Sequence, residues 1–174
     1  MALAVGAYPK IESSDYKIIQ EFRAKNDELY YEIAEPHFAF VFPIEEFNQK
    51  QFVYEVINKS QGYGSIDFEM NCAIVNKDAF LDYYHLLLSP DKGFSRIIKL
   101  HDKLYSEVFF DHLNLDIDFI PHMGIANSKD KFKVKQWVDH WNRMDYCVKG
   151  SIDSLTIMDY TNGVLTNLKE VNLL

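Results

Sequence analysis

Glu35-Pro36-His37-Phe38-Ala39-Phe40-Val41-Phe42-Pro43 reads as an apolar strand that opens on a histidine, and Phe119-Ile120-Pro121-His122-Met123-Gly124-Ile125-Ala126 repeats the phrase. Both run proline, histidine, apolar, tiny, apolar. Their histidines lie 85 positions apart (122 less 37), close to half of the 174 residues. Side chains alternate along a strand, so each histidine shares a face with the tiny residue two places on, while the apolar neighbours share the other. If a pseudo-twofold axis relates the halves, both histidines converge on one cleft. Two facing imidazoles make an acid/base pair that operates near neutral pH.

Outward from these strands the pattern is mixed. Residues 2–9 read as a first strand. Ser13, Ser14 or Asp15 caps a helix running to about Tyr31, with Ile18, Ile19, Phe22 and Leu29 on one stripe. The first histidine strand covers 37–42 and ends at Pro43, and a helix follows over about 45–59. Strands are expected over 66–75 and 80–88, joined by a turn at Asn76-Lys77-Asp78, and then a helix over about 94–110. The second histidine strand covers 119–126, and Ser128 caps a helix through about Met144. The stretch 147–172 reads as two strands around Thr161-Asn162-Gly163. Each histidine phrase follows one helix and precedes another, which predicts a bilobal α+β fold.

Composition narrows the function. Net charge is −8, from 26 acidic against 18 basic residues. A DNA duplex or long RNA needs many cationic contacts and is disfavoured as a partner by this charge, whereas a small nucleotide in a local pocket is not. Hydrophobic residues at 48% and aromatics at 15% predict a sizeable core and exclude a disordered chain. No apolar run approaches the roughly 20 residues of a bilayer span, and Met1–Tyr8 lacks the basic start of a signal peptide. No membrane partner and a cytoplasmic location are therefore expected. Cys72 and Cys147 are too few for a disulfide framework or a cysteine-rich metal site. Asp111, Asn114, Asp116 and Asp118 lack the glycine and terminal glutamate of a calcium loop. His101, His112 and His140 have no partners at metal-ligand spacing and are expected on helix or loop surfaces. No metal or other cofactor is expected.

The two histidine segments, with Leu3–Ile11 at the start and Ser151–Tyr160 near the end, resemble the two-histidine (2H) phosphoesterase superfamily. Its members include 2′-5′ RNA ligases and 2′,3′-cyclic nucleotide phosphodiesterases. The family motif is histidine, any residue, threonine or serine, apolar, once per lobe. The resemblance implies one bilobal domain over 1–174, with two pseudo-symmetric lobes whose antiparallel sheets line a central cleft and whose helices lie outside. It also implies metal-free catalysis by His37 and His122 as general base and acid, with the motif hydroxyls holding phosphate oxygens. The substrate would be a 2′,3′-cyclic phosphate or a 2′-5′ linked nucleotide or RNA end. Opening the cyclic phosphate needs one neutral imidazole and one imidazolium, and substrate orientation decides which histidine is which.

The chain keeps both histidines and has Ala39 and Gly124 where the family has hydroxyls. A hydrogen bond to a charged group is worth about 1.5–3 kcal/mol, so losing two costs about 3–6 kcal/mol if additive. That is on the order of 10²- to 10⁴-fold in rate. A departure matched in both lobes points to a changed site. Either the backbone or pocket at Ala39 and Gly124 still holds phosphate, with Lys92 from a glycine-containing loop within reach, or the chain is catalytically impaired and binds a nucleotide or protein. Lys129, Lys131, Lys133 and Lys135 fit a solvated helix face or a phosphate contact. Tyr83 and His85 share one face of a strand.

Overall fold

Alternating apolar side chains build two antiparallel sheets in the computed structural model, which describes residues 1–174. The strands are β1 (Ala2–Ala7), β2 (Lys10–Ile11), β3 (Phe38–Glu45), β4 (Ile66–Lys77), β5 (Tyr84–Lys92), β6 (Met123–Ser128), β7 (Val148–Ile152), β8 (Ser154–Thr161) and β9 (Val164–Asn172). The helices are α1 (Ser13–Asn26), α2 (Gln49–Ser60), α3 (Phe94–Leu104) and α4 (Lys131–Arg143), with a 3-10 turn at Glu107–His112. The sheet orders are β3-β1-β8-β9 and β2-β7-β4-β5-β6. The two histidine strands, β3 and β6, are thus equivalent edge strands, paired with β1 and β5 respectively.

The lobes interlock. Strand β4 leaves the first half of the chain to join the second sheet, and the hairpin β8–β9 returns from the second half to the first. The helices cross as well: α1 lies on β6 and α3 lies on β3. One apolar cluster runs through both lobes and contains Leu3, Phe38, Leu86 and Ile125 together.

Several boundaries depart from the sequence reading, each for a physical reason. Helix α1 stops at Asn26 rather than near Tyr31, because Asp27 turns out of the helix and bridges to Asn127 of β6. None of Ser13, Ser14 and Asp15 caps it; the cap position is Glu12, with no side-chain bond. Strand β3 continues through Pro43, which an edge strand tolerates because it falls at the register irregularity between the Val5–Val41 and Leu3–Ile44 pairs, where it has no ladder partner. Asn48 caps α2 by accepting from Gln51 N at 3.0 Å, which starts that helix later than expected. The β4–β5 turn lies at 78–83, where the Asp78 carboxylate accepts the amides of Phe80 and Leu81 at 2.8 and 2.7 Å. Asp130, not Ser128, caps α4. Helix α3 ends at Leu104, and the tail of the expected helix is the 3-10 turn. The stretch 147–172 holds three strands, with β7 committed to the second sheet. Gly93 turns β5 into α3 at φ +85, where a Cβ would stand 2.5 Å from Asp67 O.

A buried polar network secures the crossing of α1. Arg23 and Asp27, with side chains each 2% exposed, pair at 2.9 Å. Arg23 also donates to Gln20 Oε1 at 2.9 Å and to the carbonyls of Tyr30 and Ala34 at 3.2 and 2.7 Å. Asn127 donates to Asp27 Oδ1 at 2.5 Å and accepts from Leu29 N at 3.1 Å. The other lobe has a counterpart: Phe42 N donates to the Tyr105 hydroxyl at 2.9 Å, tying the segment after α3 to β3.

Arg23→Ala would leave a carboxylate and two carbonyls buried without their partner, and should cost about 3–5 kcal/mol. Arg23→Lys keeps the charge but not the planar fork and should recover only part of that. Urea unfolding followed by circular dichroism measures both, and a loss below about 1 kcal/mol for the alanine variant would contradict the assignment.

Candidate active site

The same local device sets both histidines. Phe38 and Phe40 are buried in the core, which turns His37 and Ala39 to the other face of β3. Met123 and Ile125 do the same for His122 and Gly124 on β6. Each ring then bends back onto its own chain: His37 Nδ1 lies 2.8 Å from Glu35 O, and His122 Nδ1 lies 2.6 Å from Ile120 O. A carbonyl only accepts, so Nδ1 carries the proton and donates, leaving Nε2 as the free basic nitrogen. Neither Nε2 has a protein partner, and neither is sealed from solvent.

Burial pushes both imidazoles below the ordinary value of 6.5, and the carbonyl bonds oppose it. Arg23 lowers His37 further, and the charges of His37 and His85 lower His122 further.

The register fixes what surrounds them. Ala39 stands opposite Gly6 of β1, which in turn stands opposite Thr156 of β8. Gly124 stands opposite Leu87 of β5. Leu3, Val5 and Ala7 belong to the core, so Gly6 and Tyr8 share the cleft face with His37. The Tyr8 ring lies beside His37 with centroids 6.0 Å apart. A Cβ on Gly6 would meet Met158 Cε at 2.5 Å and Phe38 O at 3.1 Å, so the glycine lets Met158 lie over the sheet next to His37. A Cβ on Gly124 would meet Leu87 Cδ2 at 3.7 Å, an ordinary van der Waals contact, so nothing in the packing demands glycine there. Ser89 Oγ donates to Pro121 O at 3.1 Å and steadies the turn before His122.

Of the other candidates, His85 of β5 stands opposite Asn127, with its Nε2 2.8 Å from Asp78 Oδ2 and its ring stacked on Tyr30 at 6.2 Å. Burial opposes the charge on Asp78, but the amides of Leu81 and Phe80 and the His85 ring outweigh it and hold the carboxyl below its usual range. Lys92 pairs with Glu69 at 3.5 Å, and no contact links it to either histidine. The lysines around the start of α4 are exposed: Lys129 covers Tyr83, Lys131 covers Phe132, Lys133 covers Trp137, and Lys135 pairs with Asp139. His101 is not on the surface. It is 3% exposed and stacks on Phe119 at 3.6 Å, with Nε2 unpartnered. Its spacing from Ile97 and Leu104 on one stripe of α3 carries that signal. Tyr8 and Asp78 escaped the sequence reading: nothing local marks either as a neighbour of a histidine. No three His, Cys, Asp or Glu side chains gather to hold a metal ion, and no helix is long and apolar enough to cross a membrane.

With the two histidines at the starts of equivalent edge strands, the sequence matches the 2′-5′ RNA ligase superfamily over residues 9–164. The chain belongs to this superfamily. Among solved structures, TT0787 of Thermus thermophilus is 11% identical with a TM-score of 0.67, covering 99% of this chain and 98% of that one. E. coli LigT complexed with NADP⁺ is 14% identical with a TM-score of 0.64, over 99% and 97%. Kluyveromyces marxianus Usb1 is 10% identical with a TM-score of 0.55, over 96% and 97%. At such identities the likeness is one of fold. No curated protein matches the chain. Membership places the protein among the 2H phosphoesterases and ligases, and its bilobal architecture is the LigT-like one.

Three histidines of this superfamily member, His37, His101 and His122, are held below the ordinary value chiefly by burial. The unfolded chain therefore binds protons more readily than the folded one. Their contribution to stability should be complete above about pH 6.5 and be lost as pH falls below it, by up to about 1.4 kcal/mol per pH unit for each histidine. Urea unfolding at pH 7.5 and 5.5 checks this, and His101→Phe should make the slope shallower.

Proposed function

We propose that the protein is a metal-independent phosphoesterase that opens 2′,3′-cyclic phosphates, or cleaves 2′-5′ linkages, in a small nucleotide or at an RNA terminus. One observation carries this reading: two imidazoles at the starts of equivalent edge strands, each held at Nδ1 by the carbonyl two residues back and each free at Nε2. Attack requires Nε2 of a neutral imidazole to take a proton from water as its oxygen bonds to phosphorus. The ribose oxygen leaves with the P–O bond electrons and takes the Nε2 proton of the second, protonated imidazole. One water is consumed and one P–O bond broken, and either histidine can serve as the base. Both rings are driven towards the neutral form, so the acid gains its proton when the phosphate anion enters between them.

Other features support the reading. E. coli LigT has been crystallised with 3′-AMP, ATP, NADP⁺ and phosphate, which are nucleotides or their phosphate part. The net charge of −8 suits a nucleotide or a strand end better than a long polyanion. The whole of 1–174 would act as one domain, since its core runs through both lobes. Ala39 and Gly124 favour a second reading, in which the cleft holds a nucleotide without turning it over.

Hydrolysis of the four 2′,3′-cyclic nucleotides in excess chelator is the test. Turnover should persist, and should fall by about 10²- to 10⁴-fold in His37→Ala and in His122→Ala. The profile of kcat/KM should be bell-shaped and centred below about pH 6.5, since both imidazoles are lowered in the free protein. Activity indifferent to both substitutions would refute the two-histidine mechanism. A Cβ at position 124 meets nothing nearer than 3.7 Å, and the Ala39→Thr/Gly124→Thr variant, which restores both motif hydroxyls, should turn over about 10²- to 10⁴-fold faster. Turnover only in that variant would establish the binding-only reading.

A further inference from the structure

Beside His37 a cavity of about 360 Å³ opens between residues 31–35, Tyr8 and β9, with Tyr31, Glu32, Glu35, Leu165 and Asn167 in its lining. Tyr8 joins it to the histidine site, since its ring lies against His37 and its hydroxyl donates to Asn167 Oδ1 at 3.4 Å. Arg23 lies 5.7 Å from the ring centroid of Tyr31, a half-buried side chain. The two carboxylates differ in freedom. Glu35 is tied to α1, accepting from the Tyr16 hydroxyl and from Gln20 Nε2 at 2.8 Å. Glu32 is exposed at the cavity and makes neither a hydrogen bond nor an ion pair.

We infer that this cavity receives the nucleobase of the substrate and that Glu32 makes it select guanine. The placement of the phosphate beside His37 rests on the phosphoesterase reading above. The cavity lies at the small end of the roughly 300–1,000 Å³ range of small-molecule sites, which suits one nucleoside and not two. Two carboxylates repel a second phosphate, so the uncharged end of the nucleotide turns this way. Tyr8 and Tyr31 offer ring surfaces for stacking, which is tolerant of base identity. Selectivity then falls to Glu32. Guanine presents N1–H and N2–H side by side on one edge, and a carboxylate accepts such a pair with two parallel bonds. Uracil flanks its single N3–H with two carbonyls, which would face the carboxylate with like charge. Inosine keeps N1–H and lacks the 2-amino group.

Titration of the whole protein with guanosine, inosine and uridine at pH 7, followed by NMR, tests the subsite without any chemistry. Guanosine should bind about tenfold tighter than uridine, with inosine between them, and Glu32→Gln should bring all three within about twofold. Equal affinities, a preference that survives Glu32→Gln in a variant with native circular dichroism, or no binding of guanosine up to its solubility would each overturn the inference. Cyclic-nucleotide hydrolysis, run in parallel, separates the two ideas. Selective binding without turnover keeps the subsite and removes the reaction, whereas turnover without base preference does the reverse.

Discussion

The site depends on a crossing held by the buried pair Arg23–Asp27. Asp27 ends α1 and bridges to Asn127 on the far lobe, while Arg23 grips the carbonyls of Tyr30 and Ala34 in the segment that leads to His37. A charge pair at 2% exposure is a weak source of net stability, but it tolerates little displacement, since breaking it strands both charges. It therefore acts as a positional constraint. The segment delivering His37 is anchored on the strand that begins beside His122, and the segment delivering His122 is anchored, through Tyr105, on the strand that begins beside His37. Each lobe thereby positions the histidine of the other.

Within that frame, the imidazoles are set by opposing influences. Depth among protein atoms disfavours charge on either ring, and the carbonyl at Nδ1 partly offsets this while fixing the tautomer. The cleft is chemically uneven despite its pseudo-symmetry. On the side of His37, Gly6 leaves room for Met158 and Tyr8, and a cavity opens beyond them. On the side of His122, Leu87 stands opposite Gly124, and further along β5 His85 pairs with Asp78 of the preceding turn. The two histidines thus have like backbone settings and unlike flanks.

Much of this was legible in the chain. Phe38, Phe40, Met123 and Ile125 alternate with His37, Ala39, His122 and Gly124, and period-two alternation alone places both histidines on the face away from the core. The helices before and after each phrase were readable from apolar spacing, and so was the bilobal α+β class. The same logic was available for His101, whose place on the apolar stripe of α3 outweighs its polarity. Local chemistry does not encode strand partners. Nothing in 147–152 announces that β7 pairs with β4 rather than with β8, and nothing in Asp27 announces Asn127, 100 residues away. The early end of α1, the run of β3 through Pro43, the contact of Tyr8 with His37 and the cavity between residues 31–35 and β9 all follow from such pairings. Side-chain periodicity is a property of neighbours in sequence, so it fixes the face each histidine occupies. What lies beside each of those faces is a property of packing between distant segments, and it is settled only once the lobes have exchanged their strands and helices.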